Sequence, residues 1–162
     1  MKNVKLDRID LKILQELQKD GRITNIDLAH KVGLSAPPCL RRVRALEREG
    51  FIRGYHADIA GEKMGVGITV FSMVSLARHS EADIAAFEKM VEGVSQIRQC
   101  FLLTGECDFL LKIVADDWGA FQKFMASFMA ASNNIEHVKS MPVMRRSKFE
   151  IGIPIEDESF GA

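Results

Sequence analysis

Two short breaks, Lys19-Asp20-Gly21 and Gly33-Leu34-Ser35, cut the first third of this chain into three helical runs, and that punctuation limits its fold more than any other feature. Asp7 stands before Arg8-Ile9-Asp10 as an N-cap, and Ile9, Ile13, Leu14 and Leu17 then recur at the spacing of one helix face. Thr24 or Asn25 caps a second, short helix whose apolar face is Ile26, Leu28, Ala29 and Val32. Gly33 stops it, because glycine takes the positive φ that a tight turn needs. Ser35 is placed to cap a third helix that opens with Ala36-Pro37-Pro38, where proline is tolerated since first-turn amides have no intrahelical partner.

On that third helix, Leu40, Val43, Leu46 and Glu47 fall within one arc, and Cys39 projects toward the same packed side. Pro37, Pro38, Arg41, Ala45 and Arg48 fall opposite, with Arg42 and Arg44 on the flanks. Helix, short helix, glycine turn and basic helix is the order of a helix-turn-helix, whose last helix lies in the major groove of DNA. Ser35, Pro37, Pro38, Arg41, Arg42, Arg44, Ala45 and Arg48 are therefore the expected DNA-facing residues. Arginine suits that place because its planar fork bonds guanine O6 and N7 together or clamps a phosphate. The alternative is a solvated helix whose arginines pair with neighbouring acids. Phe51 to Ile59 is rich in strand formers around Gly54, which suits a two-stranded wing with Arg53, Tyr55 and His56 near the phosphates; a linker strand without DNA contact is the competing reading.

Charge supports the first reading. The chain is neutral as a whole, yet Met1 to His56 holds twelve Lys and Arg against seven acids, while the remainder holds ten against fifteen. A basic third joined to an acidic remainder fits a polyanion-binding module attached to something with another task.

Glu62 to Gly67 reads as a linker, placing a first domain at residues 1–60, the linker at 61–66, a second domain at 67–155 and an acidic tail at 156–162. Ile68 to Leu76 is strand-like, and Ser80 caps a helix lined by Ile84, Phe87, Met90 and Val91. Val94 to Thr104 and Cys107 to Ala115 are strands joined at Gly105-Glu106. A second helix runs from Asp117 through Trp118, Phe121, Phe124, Met125 and Phe128, and Ile135 to Lys148 closes the set. The fold class is α+β: a winged helix-turn-helix followed by a βαββαβ ferredoxin-like domain with both helices on one face of its sheet. The strands are apolar on both faces, as Phe101-Leu102 and Leu110-Leu111 show, so the face without helices is expected to self-associate.

Read together, these segments resemble the Lrp/AsnC family of leucine-responsive, or feast/famine, transcriptional regulators over nearly the whole chain. The resemblance is carried by Leu6-Asp7-Arg8-Ile9-Asp10, Leu17 to Asn25, Val32-Gly33-Leu34-Ser35, Pro38 to Val43 and Leu46 to Ile52. In the second domain, Thr104-Gly105-Glu106-Cys107-Asp108-Phe109-Leu110-Leu111 looks like the family's Gly-x-x-Asp effector motif. The resemblance implies double-stranded DNA as a partner, homodimers assembling further into octamers, and a free amino acid bound between dimers. On that implication the amides of Gly105, Glu106, Cys107 and Asp108 hold the ligand carboxylate and the Asp108 side chain holds its ammonium. Leu103, Thr104, Trp118, Met141, Pro142 and Val143 complete the pocket. Met141 replaces an aromatic of leucine-responsive relatives, and a methionine adapts to a flexible apolar ligand, so leucine and methionine are the expected effectors. The competing role for Asp108 is a turn aspartate that caps backbone amides.

Other classes find less support. No catalytic residues, metal site or cofactor are expected: Glu106 and Asp108 have no nucleophile or metal ligand beside them, and His30, His56, His79 and His137 lack metal-ligand spacing. Cys39, Cys100 and Cys107 match neither a disulfide framework nor a zinc site, and read as reduced apolar thiols. Without a membrane-length apolar run or a signal-like start, the chain is expected in the cytoplasm. The alternatives are an enzyme similar to the sirohaem decarboxylases on the same two-domain plan, and an amino-acid-binding adaptor without DNA affinity. The first needs histidines converging on a tetrapyrrole, which His79 and His137 in unrelated elements do not provide; the basic helix face disfavours the second.

Overall fold

The computed structural model describes residues 6–155, so the acidic tail expected at 156–162 lies outside the described residues. The chain divides into two compact units. One comprises the residues up to Asp58 together with those from Lys148 onward, and the other runs from Ile59 to Ser147. These divisions fall after Asp58 and after Ser147, whereas the sequence suggests them after residues 60 and 155.

The first unit is built on α1 (Arg8–Lys19), α2 (Asn25–Val32) and α3 (Ala36–Arg48). Asp7 caps α1 through a capping box with Asp10, Thr24 caps α2 by accepting from the Asp27 amide, and Gly33 ends α2 at φ 74°. Ser35 occupies the N-cap position of α3 without making a side-chain cap bond. The amides a cap would accept are those of the second and third helical residues. Here these are Pro37 and Pro38, which have no N–H to offer. Ile13, Leu28, Ala29, Val32, Cys39, Val43 and Leu46 form the core. Glu16 ties α1 to α2 through Lys31 at 2.7 Å and also bonds Lys19 at 2.9 Å; together the two ammonium groups hold its pKa down to about 2. Beyond α3, Arg53 to Ala60 have no regular secondary structure, and no ladder pairs them among the described residues.

The second unit holds β1 (Ile68–Leu76), α4 (Glu81–Glu92), β2 (Ile97–Leu102), β3 (Phe109–Ala115), α5 (Trp118–Ala130) and β4 (Ile135–Pro142). The strands form one antiparallel sheet in the order β2-β3-β1-β4, the ferredoxin-like arrangement that βαββαβ predicts. β1 spans the residues the sequence suggests, whereas β2, β3 and β4 are shorter, with β4 ending at Pro142 rather than Lys148. Proline has no amide to continue a ladder, although Val143 adds one last bond to the Thr69 carbonyl at 2.9 Å.

One sheet face packs on the helices. Val70, Val74 and Leu76 of β1 and Phe109, Leu111 and Ile113 of β3 are fully buried there against Phe87, Val91, Phe121, Met125 and Phe128. Cross-strand pairing aligns Phe71 with Met141 and Lys112, and Met73 with Leu110, which pairs in turn with Phe101. These residues share the opposite face. None is fully buried, and Phe101 is 45% and Met141 39% exposed.

Candidate functional site

The basic face of α3 is rotated from the one that periodicity suggests. Cys39, Val43 and Leu46 are the packed stripe, whereas Leu40 and Glu47, expected inside, are exposed. Pro37, Arg41, Arg44 and Arg48, at spacings of four, three and four residues, form one exposed stripe down the other side. Arg44, expected at the flank, therefore belongs to the centre of the basic face. Arg48 contacts Glu49 at 3.3 Å but stays 71% exposed. Ser35 is exposed at the start of this stripe, Pro38 and Ala45 are half-buried at its edge, and Arg53 is exposed just beyond the helix.

Arg42, expected on the flank of the basic face, lies apart from this stripe. Instead of facing outward it reaches α1, where its Nη1 donates to Asp10 Oδ1 at 2.7 Å and lies 2.8 Å from Asp7 Oδ2. These carboxylates raise its pKa, Asp10 contributing first. Desolvation opposes charge on Asp7, but the Asp10 amide and Arg42 outweigh it and keep the Asp7 carboxyl below its ordinary range. An arginine held in two ion pairs is committed to joining α1 to α3. Tyr55 is 45% exposed, yet its hydroxyl donates to Glu47 Oε1 at 3.0 Å, and partial burial followed by that acceptor pushes its pKa up to about 12.

In the second unit, the turn from Leu103 to Asp108 joins β2 to β3. The Leu103 amide donates to the Asp108 carbonyl at 2.8 Å, and the Asp108 amide donates to the Val74 carbonyl at 3.0 Å. The Asp108 amide is thus consumed by the sheet and cannot meet a ligand, which leaves those of Gly105, Glu106 and Cys107 as the turn's donors. Asp108 Oδ2 accepts from the Leu76 amide at 2.7 Å and lies 3.2 Å from His79 Nε2. Both contacts fall on Oδ2, so the carboxylate is oriented with Oδ1 outside them. His79 is a neighbour that sequence reasoning missed, since nothing in the local pattern links residues 29 apart. Its segment is held by Asn134, which accepts from the Arg78 amide at 2.9 Å and donates to the Arg78 carbonyl at 3.0 Å.

The remaining expected effector residues are not beside Asp108. Met141 pairs with Phe71, Pro142 with Val70, and Val143 bonds Thr69, whereas Asp108 sits at Val74 and Leu76. At about 3.3 Å per residue, those positions are roughly 10 to 23 Å apart along β1. Trp118, 47% exposed and 5.1 Å from the Phe121 ring, follows Asp116, whose carbonyl bonds the Gly67 amide at the same far end of β1. Leu103 is 39% exposed, Thr104, Gly105 and Glu106 are also exposed, and Cys107 is buried. Two open concavities, of 360 Å³ between α4 and β2 and 250 Å³ beside Phe124, include none of these residues. Cys39, Cys100 and Cys107 are free thiols; burial raises the pKa of Cys39, and burial with Glu88 pushes Cys100 to about 11.

Comparison with known proteins adds what the geometry leaves general. Residues 6–53 match the winged helix-turn-helix DNA-binding model, and residues 69–153 match the Lrp/AsnC ligand binding domain. The chain belongs to the Lrp/AsnC family. Among its relatives, a leucine-responsive regulatory protein of Rhizobium meliloti is 46% identical over 90% of this chain and 93% of its own length. The Bkd operon transcriptional regulator of Pseudomonas aeruginosa is 42% identical over 83% and 88%. Among solved structures, a Neisseria meningitidis transcriptional regulator in complex with L-Met superposes with a TM-score of 0.87 at 36% identity, covering 92% of this chain and 96% of that one. This Lrp/AsnC protein is a DNA-binding transcriptional regulator with a ligand-binding domain. Among the described residues, no helix is long and apolar enough to cross a membrane.

Proposed function

We propose that the regulator reads DNA through Ser35, Pro37, Arg41, Arg44, Arg48 and Arg53, and responds to leucine or methionine at a site shared between copies of the chain. The observation that carries the effector site is the oriented Asp108 carboxylate beside the amides of Gly105, Glu106 and Cys107. A carboxylate and backbone amides within one turn are complementary to the two charges of a free amino acid. The rest of the expected pocket, Trp118 and Met141 to Val143, sits at the far end of the same sheet, so a second copy is needed to bring it alongside the turn. The open sheet face with Phe71, Met73, Leu110 and Phe101 supports such assembly, since apolar patches of this kind are normally covered in a soluble protein. A helix-turn-helix reading two half-sites also works as a dimer. The L-Met complex of the Neisseria relative favours an amino acid as effector. Sedimentation should show a dimer or larger assembly at micromolar protein; a monomer would leave the effector site incomplete and defeat this reading.

Arg44 and Arg42 of α3 should separate in one experiment. Arg44→Ala, on the exposed stripe, should weaken DNA binding by about 1 to 3 kcal/mol for a lost base contact, or lower the salt slope by about one for a lost phosphate contact, with folding unchanged. Arg42→Ala should instead lower stability. Its ion pairs are about one-third exposed on the arginine side, so solvent screening leaves about 1 kcal/mol, a shift of about 4 to 8 °C in a unit of this size. A salt titration of DNA binding beside a thermal scan checks both. Equal DNA binding by Arg44→Ala and the parent, or an unchanged melting temperature in Arg42→Ala, would show that the two side chains have been assigned the wrong way round.

A further inference from the structure

The last described residues return to the DNA-binding unit. Gln18 on α1 donates from Nε2 to the Ile153 carbonyl at 2.7 Å and accepts the Ile153 amide on Oε1 at 3.1 Å, so one side chain grips both polar groups of one residue. One turn earlier on the helix, Gln15 Nε2 donates to the Ile155 carbonyl at 2.7 Å. Gly152 takes φ 86°, and a Cβ built there would fall on the Cγ, Cδ and Oε1 of Gln18. Only glycine permits both that backbone and that approach. Residues 152–155 therefore lie against α1, held by the side-chain amides of Gln15 and Gln18, as the end of a strap that runs from residue 148.

The strap starts five residues after Val143, the last residue of the sheet ladder, and Met141 to Val143 belong to the expected effector pocket. The ligand-binding unit is consequently connected to the DNA-binding unit twice, once through the chain after Asp58 and once through the strap. We propose that residues 148–155 are the coupling element of this regulator, transmitting a change at β4 to α1, and that Gln15, Gln18 and Gly152 are its anchoring residues. This rests on the reading that the effector is bound near the end of β4. A single flexible linker lets two units move independently, whereas a second short connection makes displacement of one a load on the other. Coupling needs such a physically continuous element whose state both sites bias.

The test uses the full chain with Gly152→Ala and Gln18→Ala, which attack the same grip from opposite sides. Losing two net hydrogen bonds should speed exchange of the Ile153 amide by roughly tenfold or more in each variant. Equal rates in parent and variants would mean the strap is not held, and would end the proposal. Calorimetry with L-leucine and L-methionine then measures binding, and gel shifts with a duplex selected by the parent from a random pool measure DNA affinity with and without each amino acid. In the variants both affinities alone should stay parental, while the effect of amino acid on DNA binding, about 5- to 150-fold for coupling of ordinary size, should collapse toward unity. Variants that release the strap and keep the parental effect would overturn it. Should the parent bind neither amino acid, the effector reading fails, and the strap is judged without ligand. Val138→Ala, which loosens β4 at the core, should then speed exchange of α1 amides in the strapped chain and not in the Gly152→Ala background. Identical α1 exchange in the two backgrounds would refute the coupling.

Discussion

Replacing Asp108 by asparagine should reduce affinity for leucine and methionine by about thirtyfold or more while leaving the fold near parental. The ligand ammonium loses its charged partner in a partly desolvated site, a loss of about 2 to 5 kcal/mol, and the low end is already about thirtyfold in affinity. Asparagine is the informative substitution because Asp108 has a second duty: its Oδ2 holds the Leu76 amide at 2.7 Å. An amide oxygen can still accept that bond. Asp108→Ala removes both functions, so it should lose effector binding and also about 1 to 3 kcal/mol of stability from the unpaired amide. Binding by calorimetry, with circular dichroism melts on the same samples, separates the two roles. Parental amino-acid affinity in folded Asp108→Asn would place the effector elsewhere and leave Asp108 as the residue that closes the end of β1.

Phe109→Ala should be the most damaging single change to the ligand-binding unit. Phe109 is fully buried, its ring centroid lies 4.4 Å from that of Phe87, and it sits on β3 between both sheet neighbours. Truncation at such a site costs about 3 to 5 kcal/mol, a large part of the 5 to 15 kcal/mol typical of a domain. The α1 to α3 unit has a core of its own around Ile13, Leu28 and Cys39 and shares no buried side chain with the cluster around Phe109. Hydrogen exchange should therefore show β1 to β4 losing protection while α1 to α3 keep theirs. A parental melting profile would contradict the packing described for β3.

Much of this was visible in the sequence because it is local. Asp7, Thr24 and Ser80 cap the helices they precede, and Gly33 turns where only a glycine turns easily, since each contact spans three or four residues. The element order predicted the ferredoxin-like sheet, because the connections between its strands are short. Ser35 is the exception: the sequence suggests that it caps α3, but the two prolines at the second and third helical positions offer no amide for it to accept.

Where the reading failed, the deciding contact was remote. Helical periodicity put Arg42 on an outer flank, but a residue near the edge of an arc is placed by what lies opposite, and the carboxylate of Asp10 is 32 positions away. The same limit hid His79 beside Asp108. It also hid the strap, whose grip on Gln18 spans 135 residues. The sequence by itself determined the elements, their caps and their order, all set by the chain's own dihedral preferences and near neighbours. Tertiary structure alone decided which charged and amide groups meet. Such pairs form only after the elements pack, when leaving a partly buried charge or donor unpaired costs more than holding two side chains in one geometry.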